Sequence, residues 1–220
     1  MISTSLKAIK DKITLAAQDD QRLEHDVTLI AVSKKQSDER IEEALDAGLR
    51  IFGENRVQEA QSRWQDRRAH YPDLKLHLIG PLQTNKAEDA VALFDVIESL
   101  DRDKLAGALA KAMTKQGLTR ECLIQVNTGE EDQKAGITPQ DAVAFVHYCQ
   151  THHGLNITGL MCIPPLDEEP AMHFALLKKL AQEAGLPKLS MGMSGDFETA
   201  IRFGATQVRI GSSLFGARTG

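Results

Sequence analysis

Eight short aliphatic or β-branched runs recur along the chain, and helical spacing recurs between them. The runs are Thr28–Ser33, Leu49–Phe52, Lys75–Ile79, Val96–Ser99, Cys122–Asn127, Ile157–Met161, Lys188–Met191 and Thr206–Ile210. Between them, segments such as Glu39–Ala47, Val57–Arg68, Lys104–Lys115 and Glu168–Glu183 place apolar residues three and four apart, the period of one buried helix face. Strands alternating with helices imply parallel pairing with crossover helices, in an open sheet or a closed barrel. Eight strands favour closure, so the expected fold is α/β, a single (β/α)8 TIM barrel. A helix near Thr4–Ala17 precedes the first strand and is extra to the eight units. The 220 residues stand near the lower size for such a barrel, and no linker or low-complexity stretch interrupts them, so residues 1–220 read as one domain.

Helix punctuation agrees. Ser37-Asp38 and Thr138-Pro139 have the composition of helix starts, while Gly48, Gly185 and Gly204 stand where helices stop before strands. The net charge of −5 and a total of ten aromatic residues argue against a nucleic-acid surface, which needs a clustered basic face and stacking platforms. No segment approaches the roughly 20 apolar residues of a membrane span, and the first residues carry no signal-peptide run. Three scattered cysteines, Cys122, Cys149 and Cys162, form neither a disulfide framework nor a zinc spacing. A soluble, cytoplasmic chain without a metal is the expectation.

In such barrels functional groups collect where strands end and βα loops begin. Lys34 closes the run Leu29-Ile30-Ala31-Val32, on the same side as Ile30 and Val32 by alternation. Partial desolvation there favours a neutral amine able to form an imine with an aldehyde. The competing reading is a lysine that leaves the strand into water, and position alone favours it. Two further loops shift that balance. Met193-Ser194-Gly195-Asp196 and Gly211-Ser212-Ser213 each offer hydroxyls and free N–H groups after the last two strands, where barrels commonly hold phosphate, although both also fit ordinary caps. Arg209 stands between Val208 and Ile210 in an apolar strand. Facing inward, it needs an acceptor, either a pyridine nitrogen or a carboxylate. Glu54 is a candidate partner for an Arg or Lys at the mouth, and Asn55 a candidate ligand contact, with a loop cap competing. His77 reads as a satisfied core histidine and His152-His153 as exposed helix-terminal charges. No nucleophile elbow, Walker loop or dinucleotide fingerprint is present.

Several segments taken together carry a resemblance. Ala31-Val32-Ser33-Lys34, Phe52-Gly53-Glu54-Asn55, His77 through Lys86, Gly159-Leu160-Met161, Leu189 through Ser194 and Val208 through Ser212 occur in the order found in pyridoxal phosphate homeostasis proteins, also described as proline synthetase co-transcribed bacterial homologues. The resemblance spans nearly the whole chain. It implies an alanine racemase N-terminal-like barrel carrying pyridoxal 5′-phosphate as a Schiff base on Lys34. It implies Ser194, Gly211 and Ser212 at the phosphate, Arg209 at the pyridine nitrogen, and Asn55 and Met193 along the ring. The chain departs from the family at Gly195, where a second acidic residue is frequent, and at Ser212, where threonine is frequent.

The resemblance further implies a monomer that buffers or delivers the cofactor, a non-enzyme acting in intracellular homeostasis. The alternative is an amino-acid racemase using the same lysine. Racemization needs a base on each face of the substrate, which related racemases complete from a C-terminal β domain; no such domain is expected within these 220 residues. Neither Tyr71 nor Tyr148 is at a strand end. A third reading makes the barrel an interaction module that hands cofactor to apo-enzymes, with the helix Val57–Arg68 as its face.

Overall fold

A computed structural model describes residues 1–216. Eight parallel strands close in sequence order, β1 (Thr28–Val32), β2 (Ile51–Glu54), β3 (Lys75–Leu78), β4 (Val96–Leu100), β5 (Glu121–Val126), β6 (Asn156–Cys162), β7 (Lys188–Met193) and β8 (Gln207–Ile210). β8 pairs with β1, with Thr28 opposite Gln207 and Ile30 opposite Arg209, which seals the barrel. The expected (β/α)8 architecture is therefore the observed one. Helix α1 (Ile2–Asp19) precedes the first strand and buries Ile2, Leu6, Ile9, Ile13, Ala16 and Ala17, the stripe its spacing foretells. The other helices are α2 (Asp38–Asp46), α3 (Val57–Trp64), α4 (Arg67–His70), α5 (Ala87–Leu93), α6 (Asp103–Gln116), α7 (Pro139–His152), α8 (Pro170–Glu183), α9 (Phe197–Arg202) and α10 (Ser212–Phe215).

Several boundaries differ from the sequence reading. The second strand starts at Ile51, not Leu49, because Leu49 N–H bonds the Ala44 carbonyl at 3.1 Å and belongs to the stop of α2, with Gly48 at φ +87°. Gly53 and Glu54 consequently lie inside β2, with Gly53 opposite both Val32 and His77. The expected helix Val57–Arg68 is divided into α3 and α4, and at the break the Arg67 guanidinium bonds the Arg63 carbonyl at 2.5 Å. The first strand ends at Val32, which leaves Lys34 in a turn two residues beyond it.

Strand alternation gives the barrel two unlike interiors. Outward-facing apolar residues such as Phe52, Leu76, Ile97, Ile124 and Leu160 merge with the helix faces into one large core. The lumen holds a small separate apolar cluster, Val96, Leu123 and Met161, with Ile30 and Ile79 buried around Gly53. Much of the remaining lumen is polar, and that sets the chemistry described next.

Candidate functional site at the C-terminal mouth

The β7–β8–β1 side of the mouth brings the expected phosphate loops together. The Ser194 hydroxyl accepts the N–H groups of Gly211 and Ser213, each at 3.3 Å, and Ser213 Oγ donates to the Ser194 carbonyl at 3.4 Å. Two backbone donors from the start of α10 thus converge on one oxygen of the β7 loop. Asp196, the N-cap residue of α9, turns back to accept the Met193 N–H at 2.6 Å and so tightens that loop. Ser212 is exposed; its neighbour Ser213, which the sequence placed in the same hydroxyl-bearing loop but the resemblance did not single out, makes the contacts to Ser194. The same signal, a hydroxyl in the first turn of α10, serves both positions.

Gly211 lies against β1: a Cβ built on it would stand 3.5 Å from Val32 Cβ and 3.6 Å from the Val32 carbonyl oxygen. The turn that carries Lys34 is therefore next to the Ser194 loops. Lys34 is half-buried. Ser33 turns away from the lumen and donates to Glu54 Oε1 at 2.7 Å, and Gln36 N–H closes the turn on the Ser33 carbonyl at 3.1 Å. Glu54 does bind an arginine, as its position suggested, but outside the barrel rather than at the mouth. Arg63 Nη1 and Trp64 Nε1, both from α3, donate to the same Oε1 at 2.8 and 2.9 Å.

Arg209 is 3% exposed and faces the lumen, where the sequence left its acceptor open. Its Nη1 donates to Ser190 Oγ at 2.7 Å and its Nη2 to the Cys162 carbonyl at 2.8 Å, using two of its five donors. Ser190 in turn donates to Glu98 Oε2 at 2.5 Å, and Glu98 Oε1 is 2.6 Å from His77 Nδ1. A buried polar chain from β3, β4, β7 and β8 crosses the lumen in this way. Burial alone would push the Glu98 carboxyl up. The hydrogen bond and charge of His77, the charge of Arg209 and the Ser190 hydroxyl outweigh it and hold the group below the usual carboxylate range. His77 is the satisfied core histidine expected. Glu98 and Ser190 carry no role in the sequence reading, although a polar residue in an apolar strand is the signal that singled out Arg209.

Asn55 is half-buried after β2 and lines a cavity of about 730 Å³ with Arg56, Pro81, Gln83, Lys86 and Arg102. This cavity occupies the β2–β4 side of the mouth. Lys34, Met193, Ser194, Arg209, Gly211 and Ser212 do not line this cavity. Away from the mouth, His152 is exposed as expected. His153 is not: it is bonded to Asp103 at 2.7 Å and packs edge-on to Tyr148. All three cysteines are buried, and burial pushes each thiol up to about 12. Among the described residues no His, Cys, Asp and Glu cluster could hold a metal ion, and no helix is long and apolar enough to cross a membrane.

The alanine racemase N-terminal domain family matches residues 5–219. The chain is 38% identical to the pyridoxal phosphate homeostasis protein of Aquifex aeolicus, over 97% of its own length and 96% of the relative's. It is 40% identical to that of Vibrio alginolyticus, over 99% and 97%. This chain belongs to the pyridoxal phosphate homeostasis protein family. The solved structure of PipY of Synechococcus elongatus PCC7942 is 37% identical, and the superposition covers 98% of this chain and 100% of PipY. The TM-score is 0.86 for PipY without pyridoxal phosphate and 0.83 for PipY with it bound.

Proposed function

We propose that this chain, as one barrel domain, binds pyridoxal 5′-phosphate through Lys34 as a Schiff base and serves to buffer or deliver it, without catalytic turnover. The observation that carries the reading is the convergence of Gly211 and Ser213 N–H groups on the Ser194 hydroxyl beside the Lys34 turn. Two amides aimed at one oxygen suit a phosphate oxygen equally well, and the Ser194 hydroxyl adds a third donor once it rotates away. Ser212, exposed at the start of α10, adds a hydroxyl to the same edge. Arg209 fits the nitrogen end of the ring: it is buried two residues below Gly211 and has donors to spare. As arginine stays protonated, it donates to a pyridine nitrogen that stays unprotonated. Met193, opposite Arg209 in the register, and Asn55, across the mouth, would flank the ring.

The cofactor supplies an aldehyde, which condenses with a primary amine and releases one water. The chain's part is to hold phosphate and ring so that the Lys34 amine meets that aldehyde. A ring nitrogen left unprotonated is a weak electron sink, which favours holding over carbanion chemistry. The names of the relatives point the same way. The two tyrosines also support it: Tyr71 lies under Arg50, 4.9 Å from the guanidinium, and Tyr148 stacks on His152, so neither belongs to a βα loop.

The test is the visible absorbance of the purified, cofactor-loaded chain before and after borohydride, followed by peptide mapping. A yellow protein that is reduced to a stable adduct on Lys34, and a colourless Lys34→Ala variant, are the expected results. A chain that takes up no added cofactor refutes the binding reading, and multiple-turnover racemization refutes the carrier reading. Cofactor-dependent association with apo-enzymes in a pull-down would distinguish delivery from buffering.

A further inference from the structure

The residues that place Arg209 are as buried as the arginine itself. Glu98 and Ser190 are fully buried and His77 is 3% exposed. Their hydrogen bonds have a fixed direction. Ser190 has one hydroxyl proton, and it goes to Glu98 Oε2; its lone pairs are then left to accept from Arg209 Nη1. The Cys162 carbonyl holds the other terminal nitrogen, so the guanidinium plane is defined from two sides. Glu98 is not in direct contact with Arg209; its negative charge reaches the guanidinium through one hydroxyl, with His77 of β3 on its far side. Glu121 of β5, paired with Lys188 of β7, is also within electrostatic reach of His77.

We propose that Glu98, acting through Ser190, is a positioning residue of the cofactor site: it orients the Arg209 guanidinium and balances its charge within the barrel. This rests on the cofactor reading above and deepens it. The pair defines where the nitrogen end of a pyridine ring stops in the lumen. It also keeps a cation there that a buried site would otherwise disfavour. The substitution Glu98→Gln separates geometry from charge. Its carbonyl can still accept from Ser190 and its amide can still face His77, but the negative charge is gone. Ser190→Ala does the reverse: it keeps the charge and cuts the bridge.

The experiment is a titration of the apo-protein with pyridoxal 5′-phosphate, read by visible absorbance and by fluorescence, for wild type, Glu98→Gln, Ser190→Ala and Arg209→Lys. Ser190→Ala is expected to bind about tenfold more weakly, the scale of one lost hydrogen bond to a charged group. Glu98→Gln is expected to shift the absorbance maximum of the bound cofactor, a readout that a purely structural residue would not move. Adding Ser190→Ala to Arg209→Lys is expected to weaken binding less than twofold further, because both act through one contact. Ser190→Ala and Glu98→Gln binding with wild-type affinity and spectrum, or losing thermal stability with both unchanged, would overturn the proposal. In either case a wild type that still binds leaves the cofactor reading standing. A wild type that takes up no cofactor overturns both.

Discussion

Removing the Glu54 carboxylate should loosen the Lys34 turn from outside the barrel, and the size of the effect can be worked from its contacts. Glu54 is fully buried, and its Oε1 accepts from Ser33, Arg63 and Trp64. In Glu54→Ala the Ser33 hydroxyl and the Trp64 indole N–H, both in fully buried residues, lose their acceptor. Each stranded donor costs about 1–3 kcal/mol. The Arg63 side chain, 13% exposed, also loses its counter-ion. Together these match the roughly 3–5 kcal/mol of a broken buried ion pair. In a chain of this length that corresponds to a Tm lower by about 6–20 °C. Glu54→Gln should cost less, about 1–3 kcal/mol. Its carbonyl can keep the three donors, but its amide would take the place of Oε2, which has no hydrogen-bond partner among the described residues. Urea unfolding is the assay. Trp64, the single tryptophan of the chain, reports on this contact through its own emission. A Glu54→Ala variant within about 1 kcal/mol of wild type with unchanged tryptophan emission would refute the reasoning.

Three further outcomes are expected. Gly80→Ala would put a Cβ 2.3 Å from the Asn55 carbonyl oxygen, a backbone atom that cannot rotate aside, so a loss of about 2–4 kcal/mol in urea unfolding should follow; a neutral substitution would show that the two loops can separate. The folded-state shift of Glu98 is downward, so its stabilisation is present above the unfolded value near 4.5 and is lost as pH falls through the lower folded value. Wild type should therefore lose stability more steeply than Glu98→Gln below about pH 4.5, and parallel acid limbs for the two would contradict this sign. With the three thiols raised to about 12, roughly one in ten thousand is ionised at pH 8, so a disulfide reagent should titrate none rapidly in the native protein and all three in denaturant. Rapid modification of one native cysteine would show that a barrel wall opens locally.

What the sequence determined by itself was the set of elements and the positions where chemistry could collect. Periods of two and 3.6 are local properties, so eight strands, their intervening helices and the extra α1 were legible without contacts. The strand-end list reached Lys34, Asn55, Ser194 and Arg209 for the same reason. Boundaries failed where a side chain or a helix stop competed with the periodic pattern. Leu49 was drawn into the stop of α2, and the Arg67 guanidinium bonded a carbonyl at the break between α3 and α4.

Only closure decided which of these residues meet. The Gly211 and Ser213 amides reach Ser194 because β7 neighbours β8, and the Lys34 turn joins them because β8 pairs with the first strand. Glu98 and Ser190 are 92 residues apart in the chain and share a hydrogen bond across the lumen. Alternation tells which side of a strand a residue takes, but not which residue faces it across a barrel. That depends on strand order and register, and these are settled by packing all eight strands and their helices at once.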